Sequence, residues 1–247
     1  MENNIVPLDI NDSFTFACSR QVPCFNECCR DLNQFLTPYD ILRLKNFLNI
    51  ASGDFLEKYT RIHNGPETGL PVISLRPDNS AELRCPFVTP EGCSVYTDRP
   101  SSCRMYPIAR ALTHSRETGR ITEHYALMKE PHCLGFGQSK TQTVRGWLAA
   151  QGLEPYNRHN DLLMGIISLK NRQTPGPLDM KSGRLFYLAL YDLDSFRAGI
   201  FEKNLLRGES FGADELDAAE KDDTALLMMG IKWIKKILFD GANQITP

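Results

Sequence analysis

Beyond position 133 this chain has no cysteine, although eight occur before it, at positions 18, 24, 28, 29, 85, 93, 103 and 133. Long hydrophobic runs are missing too. The most apolar stretches, such as Ala225–Ile231, fall well short of the ~18 apolar residues a spanning helix needs, so neither a helical membrane span nor a membrane partner is expected. Charge of one sign is also lacking. The formal net charge is −2, with lysine and arginine spread along the chain, so no nucleic-acid partner is expected. With 17 glycines and 15 prolines, collagen-like and low-complexity architectures are excluded. The first residues, MENNIVPLDINDSF, show no basic segment leading into an apolar one. That reading predicts no secretory signal and a cytoplasmic location, where thiols stay reduced.

What is present is ordinary globular material. Of 247 residues, 42% are hydrophobic and 23% charged, enough to bury a core as one large domain or two small ones. The texture changes near residue 139. The expected fold class is α+β: a cysteine-rich metal-binding knot with short antiparallel hairpins over 1–138, followed by an all-helical subdomain over 139–247.

In detail, residues 1–36 read as irregular. Thr37-Pro38-Tyr39-Asp40 reads as a helix start, with Thr as N-cap, Pro at the first helical position and an acid at the third. Ser52 reads as the cap of a second helix that ends at Gly65-Pro66. Pro71–Leu75 and Glu82–Phe87 read as strands joined at Asp78-Asn79. Arg99-Pro100-Ser101-Ser102 opens a helical turn into Cys103, and Tyr106–Leu112 with Gly119–Met128 reads as a hairpin around Glu117-Thr118-Gly119. Helical patterns follow at 144–152, Pro155–Leu169, Arg184–Phe201 and Ala213–Asp240, the last as one long helix or two short ones and stopped by Gly241.

The cysteines carry the functional signal. The first group reads Cys18-x5-Cys24-x3-Cys28-Cys29; the second is Cys85-x7-Cys93-x9-Cys103, with Cys133 further on. Disulfides need an oxidising compartment, and the adjacent pair Cys28-Cys29 bridges only with strain. Eight incidental buried cysteines are a third reading. Ligation of a metal or an iron–sulfur cluster asks only that thiolates converge, and short spacing brings them together at little entropic cost. Thiolate is a soft donor that selects zinc, copper(I) or iron–sulfur centres. All eight, Cys18, Cys24, Cys28, Cys29, Cys85, Cys93, Cys103 and Cys133, are candidate ligands of zinc or an iron–sulfur cluster, enough for two four-thiolate sites or for one cluster with thiols to spare. An extended backbone would point Cys28 and Cys29 apart.

Other residues are candidates for supporting roles. Arg20, Arg30, Arg84, Arg99 and Arg104 lie near cysteines and could stabilise thiolates, with Arg99 and Arg104 foremost. His114, His124 and His132 could complete a mixed site, although a lone histidine is more often only hydrogen-bonded. Tyr96 and Tyr106 could hydrogen-bond sulfur or a substrate, although such tyrosines more often pack as buried rings with satisfied hydroxyls. Asp192 and Asp194 with Arg197 could act on a substrate, although Asp194 and Arg197, three apart on a helix, read more simply as a surface ion pair. No nucleophile–base pairing stands out, so whether the chain is an enzyme is left open.

The string Cys24-Phe-Asn-Glu-Cys28-Cys29, then Cys85-Pro86-Phe87, Gly92-Cys93-Ser94-Val95-Tyr96, Arg99-Pro100, Cys103-Arg104, Tyr106-Pro107 and His132-Cys133-Leu-Gly135-Phe-Gly137, resembles the YkgJ-type cysteine-cluster family. The resemblance covers about residues 16–137 and implies a zinc- or iron-chelating domain. The family's first cluster is commonly written C-x2-C-x2-C-C; here the doublet is kept and the spacing before it is longer. A related cysteine set occurs in flagellin lysine N-methylases, which implies an alternative: an iron–sulfur-dependent protein lysine N-methylase-like enzyme using S-adenosylmethionine. The glycine-rich loop after a strand that usually cradles that cofactor is not seen.

Overall fold

The computed structural model describes residues 4–31, 33–66, 68–114 and 121–240. The fold is α+β, with short antiparallel sheets and a helical C-terminal part. Packing sorts the chain into two compact units. One comprises Met1–Leu32 and Pro77–Asn157, and the other Asn33–Arg76 and Arg158–Pro247.

The first unit holds all eight cysteines and is built on a three-stranded sheet. Strand Ile121–Met128 pairs on one edge with Ile108–His114 and on the other with Ile5–Leu8, all antiparallel. A second ladder joins Ser13–Thr15 to Thr141–Thr143, and the Val144–Ala150 helix follows at once, its first turn capped by the Thr143 hydroxyl. The N-terminal segment is therefore strand-forming where irregular structure was expected. Its core is aromatic. Phe16 meets Phe136 at 5.3 Å, Trp147 at 5.8 Å and Tyr106 at 5.9 Å between ring centroids, in tilted or edge-on arrangements that suit ring quadrupoles. The expected hairpin is present, while its turn at residues 117–119 lies outside the described residues.

Glu82–Phe87 is not a strand but an irregular segment. Asp78 shapes it locally, its carboxylate accepting from the amides of Ser80 and Arg84 at 3.1 and 2.9 Å. Such local bonds give the backbone an alternative to a ladder.

The second unit is mainly helical. Thr37 and Asp40 form a reciprocal capping box on the Pro38–Leu48 helix, as its sequence predicts, and Asn49 ends that helix in the left-handed conformation. Ser52 differs from expectation. It is the first residue of the Ser52–Tyr59 helix, not its cap. Its hydroxyl donates to Asp192 at 2.7 Å and accepts from the Asp194 amide at 2.9 Å, so it serves the start of the Leu193–Lys203 helix instead. The Ser52 helix ends at Tyr59, because Thr60–Asn64 leaves it as a strand paired with Pro71–Leu75. That strand also pairs with Phe35-Leu36.

The later helices run Glu154–Gln173, Met180–Leu190, Leu193–Lys203, Ala213–Lys221 and Asp223–Lys235, with a π turn over Lys236–Asp240. The Arg184–Phe201 pattern is thus two helices, broken where Asp192 caps the second, and Asp222 breaks the Ala213–Asp240 pattern in the same way. Gly241 lies outside the described residues. Phe186, Phe196 and Trp233 are buried in this unit as expected. Asp194 and Arg197 do not pair with each other. Asp194 takes Lys45 at 3.2 Å, and Arg197 holds the carbonyls of Ala219 and Glu220 at 2.5 Å and the Asp223 carboxylate. Among the described residues no helix is long and apolar enough to cross a membrane.

Candidate metal centre

Four segments of the first unit bring the cysteines together. Cys28 and Cys29 lie in a single 3₁₀ turn, Glu27–Cys29, entered through Asn26 in the left-handed conformation. The doublet is therefore a tight turn and not an extended backbone. The Cys29 thiol donates to Cys28 and lowers the Cys28 thiol to about 7. The same bond, followed by burial, keeps Cys29 protonated far above the usual thiol range.

Backbone bonds then assemble the rest. The Cys85 amide donates to the Cys29 carbonyl at 2.8 Å. Cys93 sits in a tight two-strand hairpin opposite Val88, and the Ser94 amide reaches the Phe87 carbonyl at 2.8 Å. Gly92 makes that turn with φ +119°, open only to a residue without a β-carbon. Cys103 lies in the Ser101–Met105 helix, at the turn the sequence predicts. On the other side, the Ala17 amide donates to the Gly135 carbonyl at 3.1 Å, and the Leu134 amide donates to the Cys24 sulfur at 3.1 Å.

The two sequence groups therefore converge, and the sulfurs feel one another. Burial and then the thiols of Cys28, Cys24 and Cys133 push Cys18 up to about 11. Cys85 is pushed up to about 11 mainly by burial, and burial also raises Cys93 and Cys133. Working against burial are backbone amides aimed at sulfur: those of Phe87 and Val88 at Cys85, Val95 at Cys93, and Gly135 at Cys133. Such donors favour the thiolate over the thiol.

The supporting residues divide. Arg99 stacks on the exposed Tyr96 ring at 3.7 Å and bonds its carbonyl at 2.5 Å, and its charge lowers Cys93. Tyr96 is thus an exposed platform, not a buried ring. Arg104 serves the backbone, not sulfur. It is buried, holding the carbonyls of Arg99 at 3.0 Å, Gln151 at 2.9 Å and Thr97, with Tyr156 beneath it at 4.7 Å. Arg30 and Arg84 pair with Glu82, and Arg30 also with Glu27. His124 bonds Thr113 at 2.8 Å and His132 faces Glu130 at 3.5 Å; the His114 side chain lies outside the described residues. Tyr106 packs on Phe16 as expected of its ring, but its buried hydroxyl has no hydrogen bond among the described residues. Burial first, then the Cys133 thiol, hold that hydroxyl protonated, as a donor ready for a thiolate.

Among the described residues no three His, Cys, Asp or Glu side chains are arranged to hold an ion as they stand. All eight cysteines are outside any disulfide, with Cys18, Cys28 and Cys103 exposed. The donor set nevertheless fits a soft metal: several thiols within electrostatic reach, amides pointed at sulfur, and an unspent hydroxyl donor beside Cys133. Ligation would require the sulfurs to draw in to ~2.3 Å of a shared ion.

These features define a protein whose first unit is rich in cysteine. Residues 17–134 match the CxxCxxCC family model, described as a "putative zinc- or iron-chelating domain". The match supports a metal-chelating role. No curated protein and no solved structure matches the chain significantly.

Proposed function

We propose that the chain is a cytoplasmic metal-chelating protein that binds zinc or an iron–sulfur cluster through Cys18, Cys24, Cys28, Cys29, Cys85, Cys93, Cys103 and Cys133. The observation that carries this reading is the set of backbone amides directed at sulfur, foremost Leu134 N–H on Cys24 at 3.1 Å. A buried structural thiol needs no such donors, whereas a thiolate bound to a cation does. Eight unbridged thiols, three of them exposed, also suit a reducing compartment. Arg99 adds positive charge beside Cys93, and Tyr106 can donate to Cys133 once that sulfur is deprotonated.

The test is anaerobic purification of the full chain followed by metal analysis, acid-labile sulfide assay and absorption spectroscopy. Stoichiometric zinc in a colourless protein selects the zinc form. Iron with sulfide and broad visible absorption selects the cluster. A protein that takes up neither, when offered both in reduced form, overturns the reading.

A further inference from the structure

We infer that Cys24 and Cys133 are a redox pair, joined reversibly as a disulfide by exchange with a small-molecule disulfide such as oxidised glutathione. The bond forms without metal. It bears on the chelating function proposed above because it takes two candidate ligands out of use.

The pairing follows from the position of one sulfur. The Leu134 amide donates to the Cys24 sulfur at 3.1 Å. That amide nitrogen is bonded to the carbonyl carbon of Cys133, so the Cys24 sulfur lies within about 5.5 Å of the Cys133 Cα. A disulfide holds the same two atoms about 4 Å apart, a difference that side-chain rotation covers. The backbone fixes both segments. Phe25 N–H and Glu27 N–H bond the carbonyls of Val22 and Cys24 at 2.9 and 3.0 Å. The Cys133 amide bonds the Glu130 carbonyl at 2.9 Å, and Ala17 N–H bonds the Gly135 carbonyl at 3.1 Å, tying the chain before Cys24 to the chain after Cys133. Burial first, and the Cys24 sulfur with it, raise the Cys133 thiol, so the two sulfurs share one environment. Both residues are half-buried, open to a small oxidant. Rival pairs are less well placed. Cys28 and Cys29 are chain neighbours, where a bridge is strained. The bond from Cys85 N–H to the Cys29 carbonyl brings two backbones together but directs neither sulfur.

The exchange balances in two steps. One protein thiolate attacks the oxidant's disulfide, forms a mixed disulfide and expels one thiolate. The second protein thiolate attacks the protein sulfur of that mixed disulfide and expels the other. Two electrons pass from the protein to the oxidant, and the two thiol protons pass through solvent to the departing thiolates. Bonds of this kind in a reducing compartment are transient and report oxidation.

The test equilibrates the metal-free, full-length protein anaerobically in glutathione buffers of increasing oxidised fraction. Remaining thiols are blocked with N-ethylmaleimide, and linked peptides are mapped by mass spectrometry. The expected result is a Cys24–Cys133 link at the lowest oxidised fraction that joins any pair, reversed by dithiothreitol. Cys24→Ser and Cys133→Ser should each lose the link and instead carry glutathione on the cysteine left behind. The parent alone supplies the map, so the result does not depend on either variant folding. Another pair joined first, such as Cys29–Cys85 or Cys28–Cys29, overturns the inference. So does an equilibrium in which only mixed disulfides with glutathione form. The readout uses no metal, so a chain that binds neither zinc nor a cluster still answers it, and a missing link leaves the chelating reading standing.

Discussion

The Cys29 thiol acts as a donor to its chain neighbour Cys28 within a single 3₁₀ turn. One thiol is lowered and the other raised by the same bond, and this asymmetry is open to direct measurement.

In the metal-free protein, Cys28 should be alkylated first. Its thiol is lowered to about 7, chiefly by the Cys29 donor, whereas Cys18 and Cys85 lie at about 11. Cys28 is therefore the thiol of the three that ionises most readily near neutral pH. A lowered value means that the thiolate is populated as pH rises, so the labelling rate should climb through pH 6–8 and level off above. Peptide mapping after brief iodoacetamide treatment reads this out. Cys29→Ala should move the rise to higher pH; equal labelling of all three sites at pH 7 contradicts the arrangement.

Arg104→Ala should destabilise the protein by about 2–4 kcal/mol, since it strands buried carbonyls that one guanidinium now serves. Arg104→Lys should recover little, because a single ammonium cannot match the fork of donors. Urea denaturation of both variants checks the ordering.

Removing metal should loosen the cysteine loops before anything else. Residues 16–31 and 77–104 contain little regular structure, whereas the three-stranded sheet and the helices have their own ladders and cores. Apparent binding energies for structural zinc are roughly 10–16 kcal/mol, comparable with a whole domain's net stability of roughly 5–15 kcal/mol. Limited proteolysis with and without chelator, and of Cys93→Ser, should show new cleavage confined to these loops. Unchanged resistance there would mean that metal does not hold them.

Gly135→Ala should weaken metal retention without touching a thiol. A β-carbon there would lie 2.5 Å from the Phe16 ring and 2.9 Å from the Ala17 carbonyl. The turn that aims Leu134 N–H at Cys24 must then shift. Chelator competition should extract metal from the variant at lower chelator concentration than from the parent.

In the helical unit, Lys45 is buried and bonds Asp223 at 2.8 Å and Asp194 at 3.2 Å. Lys45→Met should cost about 3 kcal/mol, the scale for breaking a buried pair, with Arg197 still partnering Asp223. Burial raises Asp194, but the Ser52 amide and Lys45 outweigh it and leave the carboxyl below its usual range. A carboxyl lowered in the folded state stabilises above its unfolded value and loses that contribution as pH falls through its folded one. Thermal melts between pH 5 and pH 2 should therefore show a stability loss that Asp194→Asn reduces.

The residues themselves disclosed the local features. Thr37-Pro38-Tyr39-Asp40 specifies its helix start because every group in the capping box lies within four residues. The helical turn into Cys103, the hairpin over 106–128 and the helical C-terminal part are equally short-range, and the cysteine pattern alone sufficed to indicate a chelating family. Tertiary structure decided what depends on distant partners. Nothing near Glu82–Phe87 says that Pro71–Leu75 takes its strand partners from Thr60–Asn64 and Phe35-Leu36, or that Ser52 serves Asp192 and Asp194. Nor does the cysteine spacing say that the Cys85 amide finds the Cys29 carbonyl and the Leu134 amide the Cys24 sulfur. A cap or a turn is settled by the torsions of a few consecutive residues. A thiol cluster gathered from distant segments exists only once burial has compensated the entropy of closing the loops between them.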